Sequence, residues 1–142
     1  MNSRFAVATH ILTLVAEGQG QPVTSEYIAA SVNTNPSFVR RLLSQLTRAG
    51  LTTSQLGAGG GALLAKPAGG ITLRDVYRAV DEDGIFGLHQ EQPNPACPVG
   101  RNIQAMLQTR FDAATRALEA ELDHTTIADL TAEVAEREDA NV

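Results

Sequence analysis

The sequence predicts a mainly α-helical chain that carries one small β-hairpin. Three observations lead there: two helical patterns joined by a brief polar link in the first third, a glycine-rich interruption between strand-like segments, and a long helical pattern over residues 100–123. At 142 residues the chain is about one domain long, enough for a real core.

The elements follow in order. Phe5, Ala8, Ile11, Leu12 and Val15 recur at helical spacing over residues 3–17, closed by Gly18-Gln19-Gly20. Thr24 is suited to cap a helix over 24–32, with Glu26 in the first turn where the helix dipole favours negative charge. Asn33-Thr34 then link to TNPSFVRRLLSQLTRAGL, residues 34–51. There Asn35 can cap, Pro36 suits the first helical position, and Gly50 suits the left-handed position after the helix end.

The faces of this third helix can be read from its spacing. Val39, Leu42, Leu43 and Leu46 fall on one stripe and must face a core, which turns Ser37, Arg41, Ser44 and Arg48 outward with Arg40 on the flank. A short helix packed on a second whose outer face is basic and hydroxyl-bearing is a helix-turn-helix pattern. Arginine there can fork onto guanine or hold phosphate, and Ser37 can bond a phosphate or a base edge. An ordinary amphipathic helix with solvated arginines fits the same residues.

LTTSQLGAGGGALLAKP, residues 51–67, reads as a hairpin: a β-prone start, a turn holding Gly57, Gly59, Gly60 and Gly61, and an apolar return ending at Lys66-Pro67. A hairpin directly after the second helix makes a winged helix-turn-helix. Its glycines allow close backbone approach to a sugar-phosphate wall. A nucleotide-cradling loop is disfavoured, because no Lys-Ser or Lys-Thr pair follows the glycines.

Charge distribution supports this reading more than net charge does. The chain is at −5 overall, yet residues 1–66 carry five basic against two acidic side chains, and the remainder six against fourteen. A mildly basic front on an acidic back is one signature of a polyanion-binding module with a separate regulatory part. Two unrelated solvated faces would look alike.

Behind the hairpin, TLRDVYRAVD (residues 72–81) forms a short helix with Leu73, Val76, Tyr77 and Val80 inward. In the long helix Ile103, Leu107, Phe111, Ala114, Leu118 and Leu122 step by three or four, and Met106, Ala113, Ala117 and Ala120 widen the apolar surface. That breadth predicts pairing with a second copy through Ile103, Met106, Leu107, Phe111, Ala114, Leu118 and Leu122. A helix that merely covers its own core is the alternative. Residues 126–134 add a last short helix, and 135–142 read as a frayed tail. The predicted regions are thus 1–82 for DNA, 83–101 as a sensing or linking loop, 102–134 for dimerisation, and 135–142 as the tail.

Arg4 to Leu12, FVRRLLSQLTRAGL and GAGGGALLAKPAGGITLRDVYRAVDE together resemble the Rrf-type winged helix-turn-helix regulators, the family of IscR, NsrR and CymR. The resemblance runs from about residue 2 to about residue 134 and is most specific at Ala49-Gly50-Leu51, the triple-glycine wing and Ile71-Thr72-Leu73. NPACPVGRNIQ places it nearest the YwnA-like branch. The resemblance implies a dimeric DNA-binding transcription factor, with Ser37, Arg40 and Arg41 where family members touch DNA and the wing in the neighbouring minor groove. One position departs: many relatives place an arginine just before the wing's first glycine, where this chain has Leu56. Leucine cannot exploit the negative potential of a narrow groove, so weaker or different sequence preference is expected from the wing.

The residues expected at DNA are Arg4, Thr34, Asn35, Ser37, Arg40, Arg41, Ser44, Gly59, Gly60, Gly61 and Lys66. The expected partners are double-stranded DNA and a second copy of the chain on a near-palindromic operator, with recognition helices about 34 Å apart. The expected role is a transcriptional regulator, most simply a repressor. A winged-helix protein-interaction module that has lost DNA binding is the second reading, separable by the salt dependence of binding.

The irregular stretch 84–102 is the expected sensing region, through Cys97 and His89. In cluster-bearing relatives three cysteines here hold an iron–sulfur centre. A single Cys97 cannot supply a conventional four-ligand cluster even in a dimer, so no cofactor is expected. Zinc on Cys97 and His89 matches no standard spacing, and no metal site is expected. His10 and His124 read as packing or surface residues. Pro98 suits the first turn of the long helix, which would set Cys97 at its N-terminus as a reactive thiol and a redox or small-molecule trigger. A buried, inert cysteine is the alternative.

Other classes are disfavoured. No apolar run is long enough to cross a bilayer, and no secretion signal is evident at the N-terminus, which predicts a cytoplasmic protein without membrane contact. One cysteine excludes an internal disulfide framework. No nucleophile, base and orienting group can be assembled, so an enzyme is not expected.

Overall fold

The computed structural model describes residues 3–141. Residues 1, 2 and 142, at the outer ends of the first and last predicted regions, lie outside it. The elements run α1 (Arg4–Glu17), α2 (Ser25–Val32), α3 (Pro36–Arg48), β1 (Thr52–Gln55), β2 (Gly61–Leu64), a 3-10 turn (Ala68–Gly70), α4 (Leu73–Val80), α5 (Pro98–Leu122) and α6 (Ile127–Ala140).

One core holds the front of the chain together. α1 contributes Ala8, Ile11, Leu12 and Val15, α2 Ile28, α3 Val39, Leu42 and Leu46, and α4 Val76 and Val80. Phe5 meets Tyr77 edge to face at 5.7 Å between ring centroids, fixing α1 against α4. The expected caps form: Thr24 Oγ1 accepts from the Tyr27 amide at 3.1 Å, and Asn35 Oδ1 from the Phe38 amide at 2.9 Å. After α3, Gly50 takes φ +79° and the Leu51 amide reaches back to the Leu46 carbonyl at 2.9 Å, which stops the helix and aims the chain into β1.

The hairpin pairs Thr52 with Leu64 and Gln55 with Gly61, antiparallel. A third segment joins it. Val23, just before α2, exchanges two backbone hydrogen bonds with Ala62, at 3.0 and 2.7 Å, so the wing is tied directly to the start of the helix-turn-helix.

α4 and α6 begin alike. Thr72 with Asp75, and Thr126 with Asp129, each form a reciprocal capping box. The two starts also pair with each other: the Leu73 amide donates to the Thr125 carbonyl and the Ile127 amide to the Ile71 carbonyl, both at 2.9 Å. Ile127 is fully buried in the front core, and α6 packs along α1. Residues 126–134 pack on the chain's own head, where Ile127 lies buried beside Ile71. One sequence expectation is corrected here: the helix continues to Ala140 instead of ending near 134, its last turns supported by the Arg137–Glu133 pair at 2.9 Å.

α5 behaves differently. None of its 25 residues is buried. It leans on α4 through ion pairs of Arg78 with Glu119 and of Arg74 with Asp123, the latter at 3.9 Å. Phe86, from the irregular segment before it, stacks on Phe111 with centroids 4.7 Å apart. Ile103, Leu107, Phe111 and Leu122 are half-buried on α5 and Met106 is exposed.

Candidate nucleic-acid interface

α3 divides sharply into two sides. Val39, Leu42 and Leu46 are at most 1% exposed, while Ser37, Arg40, Arg41, Ser44 and Arg48 are all exposed. Leu43, expected inward, is half-buried at the edge of the stripe. The arginines on the outer face are held loosely. Arg40 Nη1 lies 3.9 Å from Glu26 Oε1 on α2, and its Nη2 donates to Ser37 Oγ at 3.5 Å. The Arg41 guanidinium sits 5.5 Å from the centroid of the Phe38 ring, a cation–π contact that leaves its charge at the surface.

Two shallow concavities flank the helix. One of about 460 Å³ joins Arg40, Ser44, Thr47 and Arg48 of α3 to Ser25 of α2 and Ser54 of the wing. The other, about 280 Å³, gathers Arg4, Phe38, Arg41, Ser44 and Arg48 together with Glu82. Arg4, placed at DNA by sequence, is thus brought near Arg41 and Arg48, but its Nη1 is 3.2 Å from Glu82 Oε2. The same carboxylate accepts from Gln45 Nε2 at 2.7 Å.

The remaining expected residues have more local duties. Asn35 spends its Oδ1 on the α3 cap, and the half-buried Thr34 donates its amide to the Ala29 carbonyl at 3.0 Å. Lys66 is exposed just past β2, outside both concavities. Of the wing glycines, Gly59 is open to solvent with φ +77°. Gly60 and Gly61 have an internal reason to be glycine: a Cβ on Gly60 would fall 2.1 Å from the Gln55 carbonyl oxygen, and one on Gly61 2.5 Å from that of Val23. Leu56 stands at the wing's turn, 89% exposed.

Three residues without a signal in the spacing border this surface, Ser25, Ser54 and Glu82, and Arg48, which the spacing turns outward, lines both concavities. Ser25 and Ser54 line the same concavity, and the Val23–Ala62 pairing ties the segments that carry them. Glu82 gave no sequence signal beyond being acidic.

In the segment before α5, Cys97 is the N-cap residue and is exposed, so the buried alternative is overturned in this chain. The turn around it is set by Asn94, whose carbonyl accepts from the Cys97 amide at 3.2 Å and whose Oδ1 accepts from the Ala96 amide at 2.9 Å. His89 is exposed, and its carbonyl accepts from Gln104 at 3.5 Å. Among the described residues, no group of three histidine, cysteine or carboxylate side chains is arranged to hold a metal ion. No described helix is long and apolar enough to cross a membrane.

A helix-turn-helix with a hairpin wing and an exposed basic recognition face defines the class of winged-helix DNA-binding proteins. Residues 1–133 match the model of the Rrf2 family, described as iron-dependent transcriptional regulators, and the chain belongs to that family. It is similar to YwnA of Bacillus subtilis (strain 168), which is named as an HTH-type transcriptional regulator. The two are 46% identical over 131 residues, covering 92% of this chain and 96% of YwnA. It is also similar to the protein rrf2 of Nitratidesulfovibrio vulgaris, with 32% identity covering 84% of this chain and 78% of that protein. Among solved structures, CymR, the global cysteine regulator of B. subtilis, superposes with a TM-score of 0.65 at 26% identity, over 94% of this chain and 96% of CymR. The T. potens IscR structure shares the fold, with a TM-score of 0.72 at 20% identity, over 96% of this chain and 89% of that one. The protein is a DNA-binding transcriptional regulator of the Rrf2 family.

Proposed function

We propose that this regulator binds a near-palindromic operator as a homodimer and represses transcription from it, with α3 in the major groove. The observation that carries this reading is the two-sided character of α3: one side sealed in the core, the other presenting Ser37, Arg40, Arg41 and Ser44 to solvent beside the wing. The arginines supply phosphate affinity and guanine readout, and Ser37 and Ser44 supply hydroxyls to the same groove. Gly59 lets the wing's tip approach a neighbouring groove, and Lys66 adds charge at its base.

Dimerisation is supported by α5. Its 25 residues contain none that is buried, and Val99 and Met106 are 67 and 52% exposed. Ile103, Leu107 and Phe111 line the same helix half-buried, with Ala114 exposed among them. An apolar helix face of this length left uncovered is costly in water, and a second copy crossing it removes that cost. Cys97, exposed at the N-terminus of α5, is the proposed redox trigger, with His89 nearby in sequence.

Selection from a random-sequence DNA library, comparing wild type with the Arg40→Ala, Arg41→Ala double variant, tests the reading. A palindromic motif recovered by the first and lost by the second supports it. No enrichment by either protein would favour a protein-interaction module.

A further inference from the structure

Between the first turn of α1, the end of α4, the segment that follows it and the last turns of α5 lies a cavity of about 490 Å³. Its walls are mostly apolar: Phe5, Val80, Ile85, Leu118 and Leu122, with Tyr77 beside them. That volume lies in the range of small-molecule sites. Tyr77 is 9% exposed, and its buried hydroxyl has no hydrogen-bond partner. Burial first, and then the Asp81 carboxylate, push the phenol's pKa up, so the group stays a donor at neutral pH. No hydrogen bond of normal geometry joins it to Asp81. Buried hydroxyls are rarely left without an acceptor, and here one borders a space large enough to supply it.

The cavity also touches the DNA-binding face. Arg4 lines both this cavity and the concavity under α3, and Asp81 precedes Glu82. Glu82 holds Arg4 at 3.2 Å and Gln45 of α3 at 2.7 Å. A molecule entering between Arg4, Asp81 and Leu118 therefore presses on both ends of that contact.

We propose that this cavity is an effector site for a small uncharged molecule of one or two rings, carrying a single acceptor atom for the Tyr77 hydroxyl, and that filling it changes the hold of Glu82 on α3. The site itself does not depend on the operator reading above, whereas its regulatory meaning does. Hydrophobic binding with one fixed hydrogen bond is what such a lining selects.

The test uses the full chain and prodan, an uncharged naphthyl ketone whose emission shifts to the blue in apolar surroundings. Saturable binding of one prodan per chain is expected. Tyr77→Phe should weaken it by roughly threefold to tenfold. Ile85→Trp, which fills the cavity from its exposed segment, should abolish it, while Glu136→Gln on the exposed side of α6 should leave it intact. Binding that is unsaturable, or that survives Ile85→Trp, would overturn the site. The relay is read by amide hydrogen exchange over residues 36–48 with and without saturating prodan. Changed protection is expected, and unchanged protection would overturn the relay. Neither reading needs DNA, so a failure to find an operator leaves both standing.

Discussion

Arg40 lies 3.9 Å from Glu26, across the turn between the two helices of the DNA-binding motif. Both side chains are largely exposed, 56 and 74%, so the pair adds little to stability, on the order of 0.5 kcal/mol or less. Its consequence falls on binding. In the proposed complex the carboxylate offers Arg40 an intramolecular partner that a phosphate must displace, and it places a negative charge beside the incoming backbone. Glu26→Gln is expected to tighten DNA binding by roughly twofold to fivefold at low salt, with unfolding unchanged. Fluorescence anisotropy with labelled duplex across a salt series measures it. Weaker binding by the variant would mean that Glu26 orients Arg40 for a base instead of competing for it.

Leu56 supplies a second, separable expectation. It occupies the turn of the wing with 89% of its surface exposed, and it carries no charge where, in the proposed complex, a minor groove presents negative potential. Leu56→Arg is expected to raise affinity about threefold to tenfold for duplexes with A-tracts beside the recognition site, and to steepen the salt dependence by about one counterion. Duplexes without A-tracts should gain less. Equal gain on both would show that the wing lies on phosphate and not in the groove.

Much of this arrangement was legible in the residues. Caps, breakers and apolar spacing act within a few residues, so Thr24, Asn35, Pro36 and Gly50 announced α2 and α3, and the split between Leu42 and Arg41 followed from a period of 3.6. What stayed hidden depends on residues far apart in the chain. Val23 joins the hairpin 39 positions away at Ala62, and Ile127 fills the core beside Ile71. The spacing of α6 shows an apolar face but cannot say whose core receives it. Glu82 is illegible for the same reason: its partners Arg4 and Gln45 come from two other helices. The exposure of Cys97 was open because prolines on both sides fit a buried turn as well as a surface one.

The Val23 contact makes Gly61 a structural test of the wing. A Cβ there would stand 2.5 Å from the Val23 carbonyl oxygen, and backbone on both sides leaves little room to yield. Gly61→Ala is expected to cost about 1–3 kcal/mol, as overpacking does. Gly59→Ala meets no atom within 4 Å and bears only the strain of φ +77°, about 1 kcal/mol. Urea unfolding of the two variants should rank them in that order. The reverse order would mean that the wing can detach from Val23 at little cost.

Arg78 and Glu119 make the tie between α4 and α5 sensitive to acid. The hydrogen bond from Arg78 holds the Glu119 carboxyl below the usual glutamate range, assisted by the charges of Arg78 and Arg74. A carboxyl whose pKa is lower folded than unfolded stabilises the fold above its unfolded value, and that contribution disappears as pH falls through the folded one. The tie should therefore be intact at neutral pH and fade below about pH 4.5, the ordinary value for the group. Arg78 is more than half exposed, so solvent screens much of the effect and the change should be modest. Glu119→Gln is expected to lower the urea midpoint slightly at pH 7 and to make the loss of stability between pH 5 and pH 3 shallower than in wild type. Protein concentration must be held fixed across the series, because the association proposed through α5 would add its own stability. A variant whose acid limb stays as steep as wild type would show that the pair contributes nothing to how α5 is held.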